Sequence, residues 1–91
     1  MKYFDWSLEK NARLQTEREV SFEDVVVAVS EDRVLDILEH TNKSKYPNQK
    51  VLVVEISHYA YLVPFVEAGE TIFLKTIIPS RQATKKYLIK R

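Results

Sequence analysis

The side chains that could do chemistry are gathered towards the C-terminus. Residues 75–91 hold Lys75, Arg81, Lys85, Lys86, Lys90 and Arg91, and no acid interrupts them. Arg81 follows Ser80, whose hydroxyl can cap a helix that starts there, with Pro79 closing the preceding strand. A phosphate at that point would meet a guanidinium fork and the free N–H groups of a helix start. Arginine suits bidentate phosphate contact and cannot readily give up a proton as a general acid. Lys50 is a second cation, at the head of an apolar strand. His40 and His58 are the only groups whose ordinary pKa lies near neutrality. His40 opens a polar loop that leads to Lys50. His58 sits in a tight turn and reads first as a solvated turn residue. Tyr46, beside Pro47 in that loop, offers a ring on which a base can stack. Tyr59 and Tyr61 read first as sheet residues, because strands favour tyrosine. Glu55, mid-strand, belongs either to a solvent face or to a cleft.

The rest of the composition narrows the classes. Ninety-one residues make one domain, 1–91, with 45% hydrophobic and 30% charged residues, a globular balance. A chain of this length supports one modest core, in which a pocket enclosing a cofactor is hard to accommodate. There is no cysteine, and two lone histidines do not make a metal site. No run reaches the length of a membrane-spanning helix, and residues 1–16 lack the apolar core of a signal peptide, so the cytoplasm is the default. Net charge is only +1, yet residues 17–39 hold eight acids against Arg18 and Arg33. Such a polarised surface can bind an anion at one end and repel it at the other. A plain solvated helix tail explains a basic cluster equally well.

These side chains have to be positioned by a sheet. Residues 51–56, 59–66 and 71–78 are short runs rich in β-branched and aromatic residues, the pattern of an antiparallel meander. Gly69, the only glycine, falls between the last two and supplies a φ > 0 residue for a hairpin loop. Residues 34–39 are ambiguous between a strand and more helix; a fourth strand is preferred, because it makes the polar loop 40–49 a long hairpin connection into Lys50. The aromatic start Lys2–Trp6 reads as a short edge strand. Ser7 caps a helix over 7–17 that has only a thin apolar stripe. Ser21, with Asp24 three residues on, starts a helix over 21–31 despite its valine run. A basic helix over 80–89 closes the chain. On it Ala83, Thr84, Tyr87 and Leu88 share the packed face, Arg81 and Lys85 its border, and Lys86 and Lys90 the far side.

Three segments carry a resemblance: Asp5-Trp6-Ser7-Leu8-Glu9-Lys10-Asn11, Val20-Ser21-Phe22-Glu23-Asp24 and Ile77-Ile78-Pro79-Ser80-Arg81-Gln82-Ala83-Thr84-Lys85-Lys86. In this order they resemble the BrnT family of bacterial toxins over nearly the whole chain. That family has an aromatic–acid–Lys start, a His-Gly-Ile/Val-Ser-Phe-Glu segment and an Ile-Ser-Ala-Arg-x-Ala-Thr close. Here Arg18-Glu19 stands in place of the His-Gly. Thr76 stands where the family has an arginine in the last strand, and Gln49-Lys50 where it has Glu and Arg. Arg81 is the unchanged basic match. The resemblance implies an α+β, RelE-like fold: two N-terminal helices, an antiparallel sheet of about four strands and the C-terminal basic helix. It further implies a cytoplasmic endoribonuclease of a toxin–antitoxin pair, working without cofactor or metal. Its partners would be RNA and a ribbon-helix-helix antitoxin, with DNA reached only through the antitoxin and no membrane involved.

Metal-free RNA cleavage needs a base for the ribose 2′-hydroxyl, cations for the developing phosphorane and an acid for the leaving oxygen. The expected catalytic set is Arg81, Lys50 and His40, with Lys75, Lys85, Lys86 and Tyr46 contacting RNA. If the meander is simple, Lys50 and Arg81 emerge at opposite edges. They meet only if the strand order differs or the helix folds back, and otherwise Lys75 or His58 stands in for Lys50. An antitoxin is expected over the basic end. The alternative is a weakly active or inactive RNA- or antitoxin-binding module on the same fold.

Overall fold

Strand composition and two capped turns organise the molecule, here as a computed structural model that describes residues 3–39, 42, 44–45 and 48–89. The elements in order are β1 (Tyr3–Asp5), α1 (Leu8–Arg18), α2 (Phe22–Ser30), β2 (Val34–Glu39), β3 (Gln49–Ile56), β4 (Tyr59–Ala68), β5 (Thr71–Leu74), β6 (Ile78–Pro79) and α3 (Arg81–Tyr87). The class is α+β, as the sequence leads one to expect. The sheet differs from the expected four antiparallel strands. Six strands take part, in the order β1-β5-β4-β3-β2 with β6 also paired to β4, and β1 runs parallel to β5.

The expected single strand over 71–78 is broken in two. β5 pairs with the far half of β4, from Phe65↔Leu74 to Ala68↔Thr71, and β6 with its near half, Tyr61↔Pro79 and Leu62↔Ile78. Three residues, Lys75, Thr76 and Ile77, therefore face only Val63 and Pro64, which is a bulge. Pro64 explains its position. The Pro64 carbonyl accepts the Lys75 N–H at 2.8 Å, so the side of β4 on which Pro64 lacks a donor faces the break. The Arg18 guanidinium donates to the Ile77 carbonyl and ties the break to α1.

Alternation divides the sheet into two faces. On one, Leu52, Val54, Ile56, Val63, Phe65, Leu74 and Ile77 form the main core with Leu14, Val20, Phe22, Val25 and Ala28 from the α1–α2 region. Trp6 stacks on Phe22 at 5.6 Å. α1 has little apolar surface to offer, and buried Asn11 compensates. Its Oδ1 accepts the Phe22 N–H at 2.7 Å, while its amide donates to Glu23 at 2.8 Å and holds that carboxyl below the usual range. Ser21 and Asp24 complete the expected capping box, which lets a valine-rich segment begin as helix.

On the other face Val53, Ala60 and Ala83 pack with Leu35, Leu62, Tyr87 and Leu88, so α3 lies across the sheet there. Both exposed sheet edges are blunted by aspartates. Asp5 Oδ1 accepts the Trp6 N–H beside β1, and Asp36 Oδ1 the Ile37 N–H in β2, each at 2.8 Å. Gly69 takes φ +63°, as its hairpin requires. The Ser57-His58 turn achieves the same without glycine, at φ 54° and 65°, the primed-turn pattern.

Candidate functional site

α3 is only seven residues long, shorter than the expected 80–89, and its placement depends on polar bonds to β4. Ser80 Oγ accepts the Ala83 N–H at 3.0 Å, the expected cap. The Ser80 N–H donates to the Ala60 carbonyl at 3.0 Å, and the Ala60 N–H donates to Thr84 Oγ1 at 2.9 Å. The same hydroxyl donates to the Ser80 carbonyl at 2.8 Å. One strand residue thus fixes the first turn of the helix through both of its backbone groups. Ala60 and Ala83, both small, let helix and sheet approach closely.

At the other end of α3 the Tyr87 hydroxyl donates to Asp36 Oδ2 at 2.6 Å, clamping the helix to β2. That bond, with the Ile37 N–H and the nearby Lys86 charge, holds the Asp36 carboxyl below its ordinary range. The same carboxylate pushes the Tyr87 phenol up.

Helical spacing sets Arg81 and Lys85 on one flank of α3, and Gln82 with Lys86 on the other. All four are exposed. Neither Arg81 nor Lys85 has a carboxylate partner among the described residues. Lys86 lies 5.2 Å above the Tyr87 ring and borders a groove of about 290 Å³. Gln82, Leu38, Val53 and Leu62 also line that groove. The far side assigned to Lys86 is therefore a groove wall as well as a wet surface. Lys75 is exposed at the bulge, four β4 residues from Ala60, or roughly 13 Å along the strand.

Lys50 lies elsewhere. It sits on the face covered by α1 and α2, with Nζ 3.9 Å from Glu67, in the row of Phe65. That row is five residues, about 16 Å, from Ala60, and α3 is on the opposite face. The geometry thus keeps Lys50 and Arg81 apart, as the simple meander order requires. His40 and Tyr46 lie outside the described residues. His58 is almost fully exposed, its Nδ1 3.6 Å from Glu55. Glu55 is half-buried, and its carbonyl accepts from Arg33 at 2.8 Å. Tyr59 and Tyr61 meet edge to face at 5.8 Å, and Tyr61 packs on the core.

Sequence reasoning placed Thr84 on the packed face of the last helix, where it is buried, but gave its hydroxyl no role, and it passed over Asp36. A threonine four residues after the helix cap was the available signal for the first, whereas nothing local links Asp36 to a tyrosine fifty-one positions away. A rigidly held helix whose flank carries cations without carboxylate partners among the described residues can hold a polyanion. No protein-family model, curated protein or solved structure matches the chain. No helix among the described residues is long and apolar enough to cross a membrane.

Proposed function

We propose that the chain is a ribonuclease toxin of a toxin–antitoxin pair, similar to the BrnT and RelE-like toxins, acting on RNA from the α3 side in the cytoplasm. The observation that carries this reading is the pair Arg81 and Lys85. Both are exposed and free of carboxylate partners among the described residues, on a helix bonded at both ends to the sheet. The three segments of family-like sequence support it, since Arg81 is their unchanged basic position. Arg81 grips the scissile phosphate and stabilises the charge that develops on it; Lys85 and Lys86 follow the backbone on either side. A ribbon-helix-helix antitoxin neutralises the toxin by covering these cations.

A second reading is a module that binds RNA or the antitoxin without cutting. The position of Lys50 favours it, because that lysine is paired with Glu67 on the other face of the sheet and leaves Arg81 without its expected companion. Induced expression of the native chain and of Arg81→Ala separates the two. Native protein arrests growth and degrades long RNA, while the variant, at equal soluble expression, does neither. Full arrest by the variant removes Arg81 from the mechanism.

A further inference from the structure

Two titratable side chains that the Arg81 site has not used sit together at the β3–β4 turn. His58 is the second residue of that turn, held at φ 65°, and its side chain is 97% exposed. Its Nδ1 lies 3.6 Å from Oε2 of Glu55, three residues back on β3. Glu55 is the cross-strand partner of Ala60, and Val53, two residues before it, clusters with Ala60 and Ala83. Alternation therefore sends the Glu55 side chain to the α3 face, where only a quarter of it is exposed. The Arg33 guanidinium is engaged by the Glu55 carbonyl and by Glu31, which leaves the Glu55 carboxylate to His58.

The two flanks of α3 are told apart by what they border. Gln82, Lys86 and Tyr87 line the groove with Leu38 and Leu62, which lie further from the β3–β4 turn than Ala60 does. The opposite flank, with Arg81 and Lys85, looks towards the turn. The bonds from Ala60 to Ser80 and Thr84 hold the start of the helix close to it. His58 is two residues of chain, at most about 7 Å, from Ala60. Lys50, by contrast, is on the other face of the sheet.

We infer that His58 is the proton-transfer group of the Arg81 site and that Glu55 is its positioning residue. The inference rests on the ribonuclease reading of α3. The Glu55 carboxylate favours the imidazole tautomer with hydrogen on Nδ1, which leaves the Nε2 lone pair free. With RNA along the Arg81 flank, Nε2 takes the proton of a ribose 2′-hydroxyl, and that oxygen attacks the adjacent phosphorus. Arg81 and Lys85 stabilise the charge on the phosphorane oxygens. The bond from phosphorus to the 5′-oxygen then breaks, and the leaving oxygen takes a proton from water. The imidazolium returns its proton to the hydroxide so formed, which its exposure allows. The products are a 2′,3′-cyclic phosphate and a 5′-hydroxyl end.

The test is cleavage of a long RNA in EDTA by the native chain, His58→Asn, His58→Ala, Glu55→Gln and Arg81→Ala, with RNA binding measured alongside. Asparagine tolerates the left-handed backbone at position 58, so His58→Asn should keep the native melting temperature. It is expected to bind RNA as the native chain does and to cut it about 10²–10⁴-fold slower. Free imidazole in the buffer should restore part of the cleavage to His58→Ala and none to Arg81→Ala, a rescue that a merely structural turn residue would not show. Glu55→Gln should lower kcat with KM unchanged, and native digests should carry 2′,3′-cyclic phosphate ends. Native cleavage that both His58 variants match, or a loss that imidazole cannot restore, overturns the assignment of His58 and leaves the Arg81 reading standing. A native kcat in Glu55→Gln overturns the positioning role. RNA left intact by every protein overturns the ribonuclease reading and this assignment with it.

Discussion

Among single residues, Arg81 and Tyr87 show how one short helix separates chemistry from anchoring. Arg81 is exposed and contributes no contact to the core, so, under the proposed function, its loss should be felt in RNA chemistry and not in folding. Tyr87 does the reverse. Its bond to Asp36 lowers the pKa of the carboxyl and raises that of the phenol. A carboxyl with a depressed folded pKa gives stability that is present above its unfolded value, near 3.9, and is lost as pH falls through the folded one. A phenol with a raised pKa gives stability present below about 10 and lost as pH rises through its folded value. The clamp therefore works across the range between, and fails at both ends. Tyr87→Phe should lower the melting temperature at neutral pH and remove this part of the acid and alkaline dependence. Parallel melting curves from pH 2 to 11 for the two proteins would show that the bond contributes nothing. Arg81 was legible in the sequence because a serine cap and a proline stop mark its place. The Tyr87 clamp was not, since it joins a helix to a strand across fifty-one residues.

Elements were legible where local signals agreed. The capping box at Ser21 and Asp24 outweighed three valines, and β2 appears at Val34–Glu39, where the pattern alone left strand and helix open and the loop that follows favoured the strand. The strand over 71–78 misled because its composition is continuous, while Pro64 in the neighbouring strand breaks the ladder. A parallel β1–β5 pair is likewise invisible to local patterning, being a contact between residues about seventy positions apart. How α3 is seated follows from one such long-range contact. Thr84→Val keeps the shape of the side chain but leaves the buried Ala60 N–H without its acceptor. The expected cost is about 1–3 kcal/mol, with each kcal/mol worth roughly 4–8 °C of melting temperature in a domain this size. RNA cleavage should fall further than stability alone accounts for, because Arg81 is held three residues away. Thermal melting and cleavage rates measured below the transition separate the two effects. A variant as stable and as active as the native chain would mean that the hydroxyl does not seat the helix.

For the whole molecule, charge and shape are sorted onto opposite faces of one sheet. The α3 side carries Arg81 and Lys85, which have no carboxylate partner among the described residues, and the other side an apolar cleft bordered by Lys50 and Glu67. The polarity was legible in the sequence, as eight acids in residues 17–39 and none in 75–91. The cleft was not, because it arises where helices of fixed length end over longer strands. Nor was the separation of Lys50 from Arg81 settled before the strand order and the face of α3 were known. A ribonuclease centred on Arg81 must then draw its proton-transfer group from outside the Lys50 row. The most direct measurement is incubation of the purified chain and of Arg81→Ala with a long RNA in EDTA, following cleavage and binding together. Native protein should cut the RNA, and the variant should bind it less tightly and cut it slower by on the order of 10²–10³-fold. RNA that is bound by the native chain yet stays intact, or is cut equally by both proteins, would contradict a nuclease built on Arg81.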